Sequence, residues 1–401
     1  MKTATYRYLI VGAGLAGAAA IEGIRERDPD GAILLLGDEA ELPYDRPPLT
    51  KKLWFDQKQV ADIYVHPVPW YESQGVQLAL GTEVTRLDPA RQVVADRKGT
   101  TYGYEKLLLA TGGRPKRLTV PGGDLEGVCY YRYLADYRRT RAQAVVGASA
   151  VVIGGGFIGS EIAAALAVNN VHVTMIYPDR HLVPRVFPAD LGSARQEAYR
   201  ARGLTILAGD TVTAITHQHG RFVVTTAAER ELESDIVIAG IGLDPDVSLA
   251  AEAGLETGDG IVVNEYLQTS HPDIYAAGDN ALFPYLALGD RRRVEHWDNA
   301  IMQGKCAGRN MAGAGQPYDH LPYFFSDLFE FGYEAVGEVD PRLEVVADWT
   351  KEYDTGVLYY LAGGKVRGAM LCNVWDKVEA ARELIRRGET VTPEDLRGAI
   401  R

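Results

Sequence analysis

The same glycine pattern occurs twice in this chain of 401 residues, each time between an apolar run and an alanine-rich stretch. The first copy is Gly12, Gly14 and Gly17, and the second is Gly154, Gly156 and Gly159. In this spacing the first glycine permits a tight turn, the second lets the backbone approach a pyrophosphate, and the third lets a helix lie close to the preceding strand. The sequence therefore predicts two strand–turn–helix phosphate cradles.

A second apolar strand and then a carboxylate follow each cradle. Asp38 lies 26 residues after the first glycine of its cradle, and Asp179 lies 25 residues after the first glycine of the other. A carboxylate at this distance accepts hydrogen bonds from a ribose hydroxyl. Because the acid recurs at a matching distance, the pattern favours two dinucleotide sites over two tight turns. We predict an α/β chain with two Rossmann-like domains, and hence two dinucleotides.

Two later segments carry further turns after apolar strands. Residues 106–109 lead into Ala110, Thr111 and Gly112, where the chain would leave its first domain. Residues 273–277 lead into Gly278 and Asp279, followed by an apparent helix start. An aspartate there is expected to bond the ribityl or phosphate part of a cofactor. We expect the first domain to be interrupted by the second and then resumed.

The stretch LPYDRPPLTKKLW, residues 42–54, combines adjacent prolines with apolar and cationic side chains. Prolines lack the N–H group and force extended geometry on the residue before them, which excludes a regular helix. The large apolar side chains favour burial, while Arg46, Lys51 and Lys52 favour anions. The composition predicts a lining against a large, flat, negatively charged ligand.

The bulk composition excludes several classes of function. A net charge of −12 argues against general affinity for nucleic acids or membrane surfaces. Two arginine triplets, Arg138 with Arg139 and Arg141, and 291–293, are read as solvated surface, or alternatively as docking sites for an acidic partner. No apolar run reaches the length of a membrane span. The first residues predict a strand rather than a signal or transit segment.

The three cysteines are Cys129, Cys306 and Cys372, with no CxxC pair among them. This spacing predicts neither a zinc site nor a local dithiol, so we expect no metal. Scattered thiols fit a reducing compartment, and we expect a cytoplasmic protein.

Both glycine fingerprints, ATGG, YAAGD and the LPYDRPPLTKKLW loop resemble the two-dinucleotide-domain flavoprotein reductases, which have the glutathione-reductase-like fold. Within them the chain resembles the branch of apoptosis-inducing factor and the bacterial ferredoxin and rubredoxin reductases. The segments GGGFIGSE, RRRVEHWDNA and FFSDL are most similar to apoptosis-inducing factor. The matches cover nearly the whole chain, in order.

This resemblance implies FAD on the first cradle and a nicotinamide dinucleotide on the second. It also implies three domains: FAD-binding (1–118 and 244–322), NAD-binding (119–243) and a small α+β C-terminal domain (323–401). The predicted FAD contacts are Gly12, Gly14, Ala16, Gly17, Asp38, Arg46, Lys51, Ala110, Thr111, Gly112, Gly278, Asp279, Glu295, His296, Trp297 and Phe325. The predicted NAD contacts are Gly154, Gly156, Phe157, Ile158, Gly159, Glu161, Asp179 and Gly242.

The resemblance also implies roles for individual side chains. Lys51 and Glu161 would form a pair near the flavin, where an ammonium group stabilises the charge of the reduced ring. Together with Glu295, beside the nicotinamide, they are the predicted catalytic residues. His296 and Trp297 would begin a helix whose N-terminus faces the flavin, although core packing is the favoured role of Trp297. Phe325 stands where the family often has tryptophan.

Hydride transfer to a flavin needs positioning rather than an acid or base. Asp179 would bond a 2′-hydroxyl and repel a 2′-phosphate, so we expect NADH rather than NADPH. No cysteine lies in the loop where disulfide reductases of this superfamily carry theirs. Reduction of disulfides or peroxides is therefore disfavoured, which leaves a one-electron carrier protein, a quinone or oxygen as the acceptor. The resemblance to ferredoxin and rubredoxin reductases implies that a ferredoxin-like carrier is the expected acceptor.

The alternative is an NADH-sensing flavoprotein, like apoptosis-inducing factor, that forms a charge-transfer complex and has weak NADH oxidase or quinone reductase activity. A homodimer is possible under either hypothesis.

Overall fold

The computed structural model describes residues 4–400, and the chain divides into two compact units. Unit 1 contains the chain up to Asp45, Val60–Arg114 and Asp244–Pro322. Unit 2 contains Arg46–Gln59, Pro115–Leu243 and the chain from Tyr323 onward. The chain thus leaves unit 1 within four residues of the expected boundary at 118 and returns at 244. The separation of 323–401 as a third domain remains a prediction.

The α-helices, in chain order, are α1 (Leu15–Arg25), α2 (Val68–Ser73), α3 (Leu134–Gln143), α4 (Phe157–Val168), α5 (Ala189–Ala201), α6 (Ser248–Glu252), α7 (Trp297–Met311), α8 (Val378–Arg387) and α9 (Pro393–Leu396). The first strands are β1 (Ala4–Val11), β2 (Ile33–Leu36), β3 (Val76–Ala79), β4 (Val84–Asp88), β5 (Val93–Asp96), β6 (Thr101–Leu109) and β7 (Gly113–Pro115). They are followed by β8 (Val128–Cys129), β9 (Ser149–Ile153), β10 (His172–Tyr177), β11 (Thr205–Ala208), β12 (Val212–Gln218), β13 (Arg221–Thr226), β14 (Glu231–Ser234), β15 (Ile236–Ala239) and β16 (Leu243–Pro245). The last are β17 (Thr257–Gly258), β18 (Gly260–Val262), β19 (Ile274–Ala276), β20 (Ala281–Tyr285), β21 (Asp290–Arg292), β22 (Tyr323–Leu328), β23 (Phe331–Gly337), β24 (Glu344–Lys351), β25 (Thr355–Ala362) and β26 (Lys365–Cys372).

Unit 1 is built on a seven-stranded sheet in the order β3-β2-β1-β6-β5-β4, with β19 also paired to β6. Strands β1, β2, β3, β6 and β19 are parallel. Helices α1 and α7 pack closely because small residues line their contact. A side chain on Gly304 of α7 would lie 2.3 Å from the carbonyl oxygen of Ala16 in α1. A four-stranded sheet, β17-β18-β20-β21, completes the unit.

Unit 2 contains a second parallel sheet in the order β11-β10-β9-β15-β8. The antiparallel sheet β12-β13-β14 packs its apolar face, including Ile215, Phe222 and Val224, against Val151 and Val237 of the parallel sheet. The central strands of both parallel sheets are continuous apolar runs in the sequence, as is typical of strands buried on both faces. The two Rossmann-like elements predicted from the glycine patterns are confirmed.

The chain from Tyr323 onward forms a five-stranded antiparallel sheet, β22-β23-β26-β25-β24, within unit 2. Helix α8 places Ala381 and Ile385 in the core and ends at Gly388 in a left-handed conformation. The expected α+β character of the chain from Tyr323 onward is confirmed. No helix in residues 4–400 is long and apolar enough to cross a membrane.

The loop with adjacent prolines forms no regular helix but one 3₁₀ turn, Pro47–Thr50. Its part in unit 2 is fixed by Trp54, whose indole N–H donates to the carbonyl oxygen of Leu49 at 2.8 Å. The hydroxyl of Tyr131 donates to the same carbonyl at 2.6 Å, and Arg46 donates to the carbonyl oxygen of Arg132 at 2.9 Å. From Arg46 onward, the loop is therefore held by hydrogen bonds within unit 2.

The prediction of a helix directly after Asp279 is wrong. Residues 281–285 form strand β20, in which Ala281, Phe283 and Tyr285 are buried while Leu282 and Pro284 are half-buried. This period of two is typical of a strand with one buried face. The apolar residues were too few to distinguish the two periods in advance.

Candidate functional site

The parallel strands of unit 1 end at one edge of its sheet. Val11 pairs with Leu36 and Leu109, and Leu109 also pairs with Ala276. The segments that follow these four strands therefore lie side by side. They are the first glycine cradle, Asp38, the Ala110–Thr111–Gly112 turn and the Gly278–Asp279 turn, which the structure brings together. The carboxyl edge of a parallel sheet is where open α/β folds bind ligands.

Each glycine of the first cradle has a distinct structural reason. Gly12 has φ of 116°, and a side chain there would lie 2.1 Å from the carbonyl oxygen of Ala110. A side chain on Gly17 would lie 2.1 Å from the carbonyl oxygen of Gly12. Gly14, the N-cap of α1, has no protein atom within 4 Å of that position. The backbone at Gly14 is thus open to a ligand at a helix N-terminus, which favours phosphate.

The second cradle repeats this geometry in unit 2. Gly154 has φ of 117°, and a side chain on Gly159 would lie 2.1 Å from the carbonyl oxygen of Gly154. Gly156 is the N-cap of α4 and, like Gly14, has no protein atom near its missing side chain. The two cradles therefore fit two pyrophosphate groups equally well.

Asp38 lines a cavity of about 460 Å³ in unit 1. The other lining residues follow β3, lie at the end of β5 or after it, or belong to β7, and they are Gly81, Thr82, Glu83, Asp96, Arg97, Lys98 and Arg114. The cavity adjoins Asp38, the predicted ribose-binding acid, and its polar and charged lining suits the adenosine end of a dinucleotide. Sequence reasoning missed these lining residues because they belong to no spaced pattern.

Two buried amides hold the turn that carries Asp279. Gln303 of α7 accepts a hydrogen bond from the N–H of Gly278 at 2.8 Å. Asn280 donates to the hydroxyl of Thr111 at 2.9 Å. The Oδ1 atom of Asn280 and the Nε2 atom of Gln303 are buried and have no partner among the described residues. Both amides were missed from the sequence, and polar capacity of this kind beside the cradle suits a polar cofactor.

Helix α7 begins beside these turns with His296 as its N-cap. The indole N–H of Trp297 donates to a carboxylate oxygen of Asp45 at 2.8 Å, so Trp297 has a polar partner in addition to packing. Glu295 is exposed and pairs with Arg293. Burial lowers the pKa of His296 to about 4, against the opposing effect of Asp279. A neutral imidazole suits a helix N-terminus, where the helix dipole disfavours cations.

The low pKa of His296 predicts a dependence of stability on pH. Between pH 6.5 and about 4 the unfolded chain binds a proton at this histidine and the folded chain does not. Stability is therefore fully present above pH 6.5 and falls as the pH decreases through this window, by up to about 3 kcal/mol. Urea unfolding of the protein at pH 7 and pH 4 measures the change. His296→Asn replaces the imidazole with a side chain that does not titrate in this range and is favoured at helix N-caps. Most of the pH dependence is expected to disappear in this variant and to remain in the exposed control His219→Asn. Parallel profiles for all three proteins would contradict the expectation.

Lys51 and Glu161 form a buried ion pair in unit 2. The Nζ atom of Lys51 lies 2.6 Å from Oε1 of Glu161, and the two side chains are 8% and 6% exposed. The ammonium group also lies 5.2 Å from the ring centroid of Phe325. Glu161 is the fifth residue of α4, so the pair lies little more than one turn along the helix from the second cradle.

The remaining predicted nucleotide contacts of unit 2 flank the same cradle. Phe157 packs edge-to-face against Phe324 at 5.4 Å, and Ile158 is 38% exposed. Asp179 is exposed just beyond β10, and Gly242 follows β15 with φ of 111°. The predicted FAD contacts are divided between the units, because Arg46, Lys51 and Phe325 belong to unit 2 and the others to unit 1.

All three cysteines are buried and free. Burial raises the pKa of Cys306 to about 11 and also raises the pKa of Cys129 and Cys372. A thiol that is protonated and buried is a poor nucleophile. The chain therefore offers no thiol pair for disulfide reduction, and the expectation that Cys306 is a buried apolar side chain is confirmed.

Two family models match the chain. Residues 6–304 match the pyridine nucleotide-disulphide oxidoreductase family, and residues 307–352 match the C-terminal domain of the mitochondrion-associated apoptosis-inducing factor. The first model covers about three quarters of the chain.

Curated and solved relatives agree with these models. The ferredoxin–NAD(+) reductase component of the Burkholderia cepacia anthranilate 1,2-dioxygenase system is 34% identical, over 97% of this chain and 96% of its own. Peroxisomal monodehydroascorbate reductase 4 of Arabidopsis thaliana is also 34% identical, over 91% and 78%. The structure of the covalent putidaredoxin reductase–putidaredoxin complex matches with a TM-score of 0.91 and 32% identity, over 98% and 95%. The chain belongs to the pyridine nucleotide-disulphide oxidoreductase family, as an FAD- and NADH-using oxidoreductase of the branch of ferredoxin reductases and apoptosis-inducing factor.

Proposed function

We propose that this protein takes hydride from NADH and passes the electrons singly to a ferredoxin-type carrier protein. The observation that carries the proposal is the phosphate cradle built twice with the same geometry, once at Gly14 and once at Gly156. The nature of the acceptor is supported by relatives whose names specify ferredoxin and putidaredoxin. The absence of a reactive thiol pair supports the same choice.

The residues of unit 1 hold FAD in this proposal. The cradle around Gly14 binds the pyrophosphate, Asp38 binds the adenosine ribose, and Asp279 bonds the chain between the ring and the phosphates. The amides of Gln303 and Asn280 fix the turn that carries Asp279. Bound FAD supplies the chemistry of accepting a hydride and releasing its two electrons one at a time.

The residues of unit 2 hold NADH and supply charge. The cradle around Gly156 binds the NADH pyrophosphate, and the first turn of α4 guides the nucleotide towards Glu161. We assign to Lys51 the stabilisation of negative charge on the reduced cofactor, because a desolvated ammonium group interacts more strongly than a hydrated one. Arg46 and Phe325, also of unit 2, would contact FAD, and Glu295 of unit 1 would contact the nicotinamide.

Asp179 sets the preference for NADH. We expect kcat/KM for NADH to exceed that for NADPH by at least about 100-fold, because the carboxylate bonds a 2′-hydroxyl and repels a 2′-phosphate. Asp179→Ser is expected to reduce this ratio to about tenfold or less, mainly by improving NADPH. Glu233→Gln, which removes an exposed carboxylate of β14 in the same unit, serves as the control. An unchanged ratio in Asp179→Ser would mean that residues other than Asp179 determine the preference for NADH.

Steady-state assays with different acceptors across a salt series test the proposed function. The rate with an acidic ferredoxin-type protein is expected to exceed the quinone and oxygen rates. That rate should fall as salt screens exposed charges, for which the Debye length decreases from about 10 Å at 0.1 M to about 3 Å at 1 M. The quinone rate should change little. A carrier rate that is slower than the quinone rate and insensitive to salt would overturn the proposal.

An arginine of the first triplet and an exposed arginine of unit 1 give this assay a matched pair of variants. The triplet 291–293 is engaged within unit 1, where Arg291 donates to the carbonyl oxygens of Val263 and Leu282. Arg138 of α3 is exposed, so Arg138→Glu is expected to slow the carrier at low salt. Arg27→Glu makes the same charge change on an exposed side chain of unit 1 and should have no such effect.

A second candidate is an NADH-sensing flavoprotein, favoured by the match of 307–352 to the C-terminal domain of apoptosis-inducing factor. It requires slow reoxidation in air and a shift to a homodimer when NADH is added, which sedimentation velocity detects. Rapid turnover with unchanged sedimentation would exclude this second function. Under either function we propose a cytoplasmic location, supported by the free cysteines.

A further inference from the structure

The carboxylate of Glu161 accepts hydrogen bonds from three side chains of unit 2. Lys51 donates to Oε1 at 2.6 Å, the hydroxyl of Ser326 donates to the same oxygen at 2.5 Å, and the hydroxyl of Thr50 donates to Oε2 at 2.5 Å. A carboxylate can only accept, so both hydroxyl groups must be donors. All four residues are buried, with exposures of 7% or less for the whole residue.

These donors come from two segments that are far apart in the chain. Thr50 ends the 3₁₀ turn of the proline-rich loop and Lys51 follows it. Ser326 lies on β22 of the C-terminal sheet, 165 residues after Glu161. Its neighbour Phe325 lies beneath the ammonium group of Lys51. The C-terminal sheet thus contacts both partners of the ion pair, the anion through Ser326 and the cation through Phe325.

The two hydroxyl groups affect how strongly Glu161 neutralises Lys51. Hydrogen bonds to a carboxylate are charge-assisted, and each donor offsets part of the negative charge of the carboxylate. Oε1 is shared between Lys51 and Ser326, while Thr50 fixes the orientation of Oε2. Lys51 makes one hydrogen bond among the described residues, which leaves two N–H groups for a ligand. Without the hydroxyls, the carboxylate would turn towards the ammonium group and hold it more tightly.

We propose that Ser326 and Thr50 are positioning residues that orient Glu161 and thereby set how much of the positive charge of Lys51 acts on the bound flavin. This inference rests on the proposed function, in which Lys51 stabilises the reduced cofactor. It makes the C-terminal sheet, through one hydroxyl group, a determinant of the flavin reduction equilibrium. Removing either hydroxyl makes the flavin harder to reduce.

The test is an anaerobic measurement of the ratio of reduced to oxidised flavin at fixed NADH and NAD⁺, read from its absorbance. Ser326→Ala and Thr50→Val are each expected to lower this ratio about fivefold, and the double variant by more than tenfold, where tenfold corresponds to about 30 mV for a two-electron couple. Thr50→Ser retains the hydroxyl and should restore the wild-type ratio. Ser193→Ala removes an exposed hydroxyl of α5 and should leave it unchanged.

A double-mutant cycle separates this inference from the proposed function. Lys51→Gln alone must lower the ratio, and if it does not, the proposed role of Lys51 fails. In the Lys51→Gln background, Ser326→Ala should have no further effect, because its effect acts through Lys51. An equal effect in both backgrounds, or none in either, would overturn the inference while the role of Lys51 remains. Thermal unfolding of each variant is recorded as well, since a merely structural role would change stability and not the ratio.

Discussion

Replacing Gly14 with alanine is expected to give a folded protein that no longer retains FAD. No protein atom lies within 4 Å of the position that the new methyl group would occupy, and the backbone there, with φ of −96°, accepts alanine. The methyl group would instead obstruct the approach of the pyrophosphate to the start of α1. We expect the dissociation constant of FAD to rise at least about 100-fold, equivalent to about 3 kcal/mol.

The equivalent change in the second cradle, Gly156→Ala, is expected to leave FAD bound. Its effect should be a rise in the KM for NADH of about tenfold or more, because Gly156 occupies the same position at the start of α4. Fluorescence titration with FAD and steady-state kinetics with NADH measure the two effects, and circular dichroism establishes that both variants are folded. Loss of FAD from Gly156→Ala and not from Gly14→Ala would reverse the assignment of the two sites.

Glu161→Gln is expected to destabilise the protein by about 3–5 kcal/mol, because it leaves the buried ammonium group of Lys51 without its anion. The change keeps the size of the side chain, so lost packing does not explain the effect. The measurement is urea unfolding of the FAD-saturated protein, followed by tryptophan fluorescence.

The control is Glu197→Gln, which removes the carboxylate of an exposed pair with Arg200 on α5. Its expected effect is below about 1 kcal/mol, since solvent screens exposed ion pairs. Equal effects of the two variants would mean that the Lys51–Glu161 pair is not desolvated in solution, and would remove the basis for its proposed action on the flavin.

The elements that sequence reasoning predicted correctly are those specified by local spacing. The glycine patterns predicted both cradles because their turn, helix start and close packing involve residues within six positions of one another. The strands β1, β2, β9 and β10 were readable because buried parallel strands are continuously apolar. The strand β20 was not, because five residues with a period of two resemble a helix start when they follow a glycine–aspartate turn.

The parts of the site that depend on contacts between residues distant in sequence were harder to predict from the sequence. Lys51 and Glu161 lie 110 residues apart, and only the family resemblance suggested that they pair. Nothing suggested Ser326, because one serine in an aromatic strand has no spacing that specifies a partner. Gln303 and Asn280 were missed for the same reason, since their partners are a backbone amide and a hydroxyl set by the packing of α7 and the sheet.

The interrupted course of unit 1 has a consequence for how the protein is made. Its sheet receives β19 only 165 residues after β6 ends, and α7, which packs against α1, comes later still. At synthesis rates of about 5–20 residues per second, the emerging chain waits roughly 10–30 seconds for β19. During that time the apolar faces of α1 and β6 are open to chaperones. The order of the segments on the messenger thus delays assembly of unit 1 until the later part of synthesis, after most of unit 2 up to Leu243 has been made.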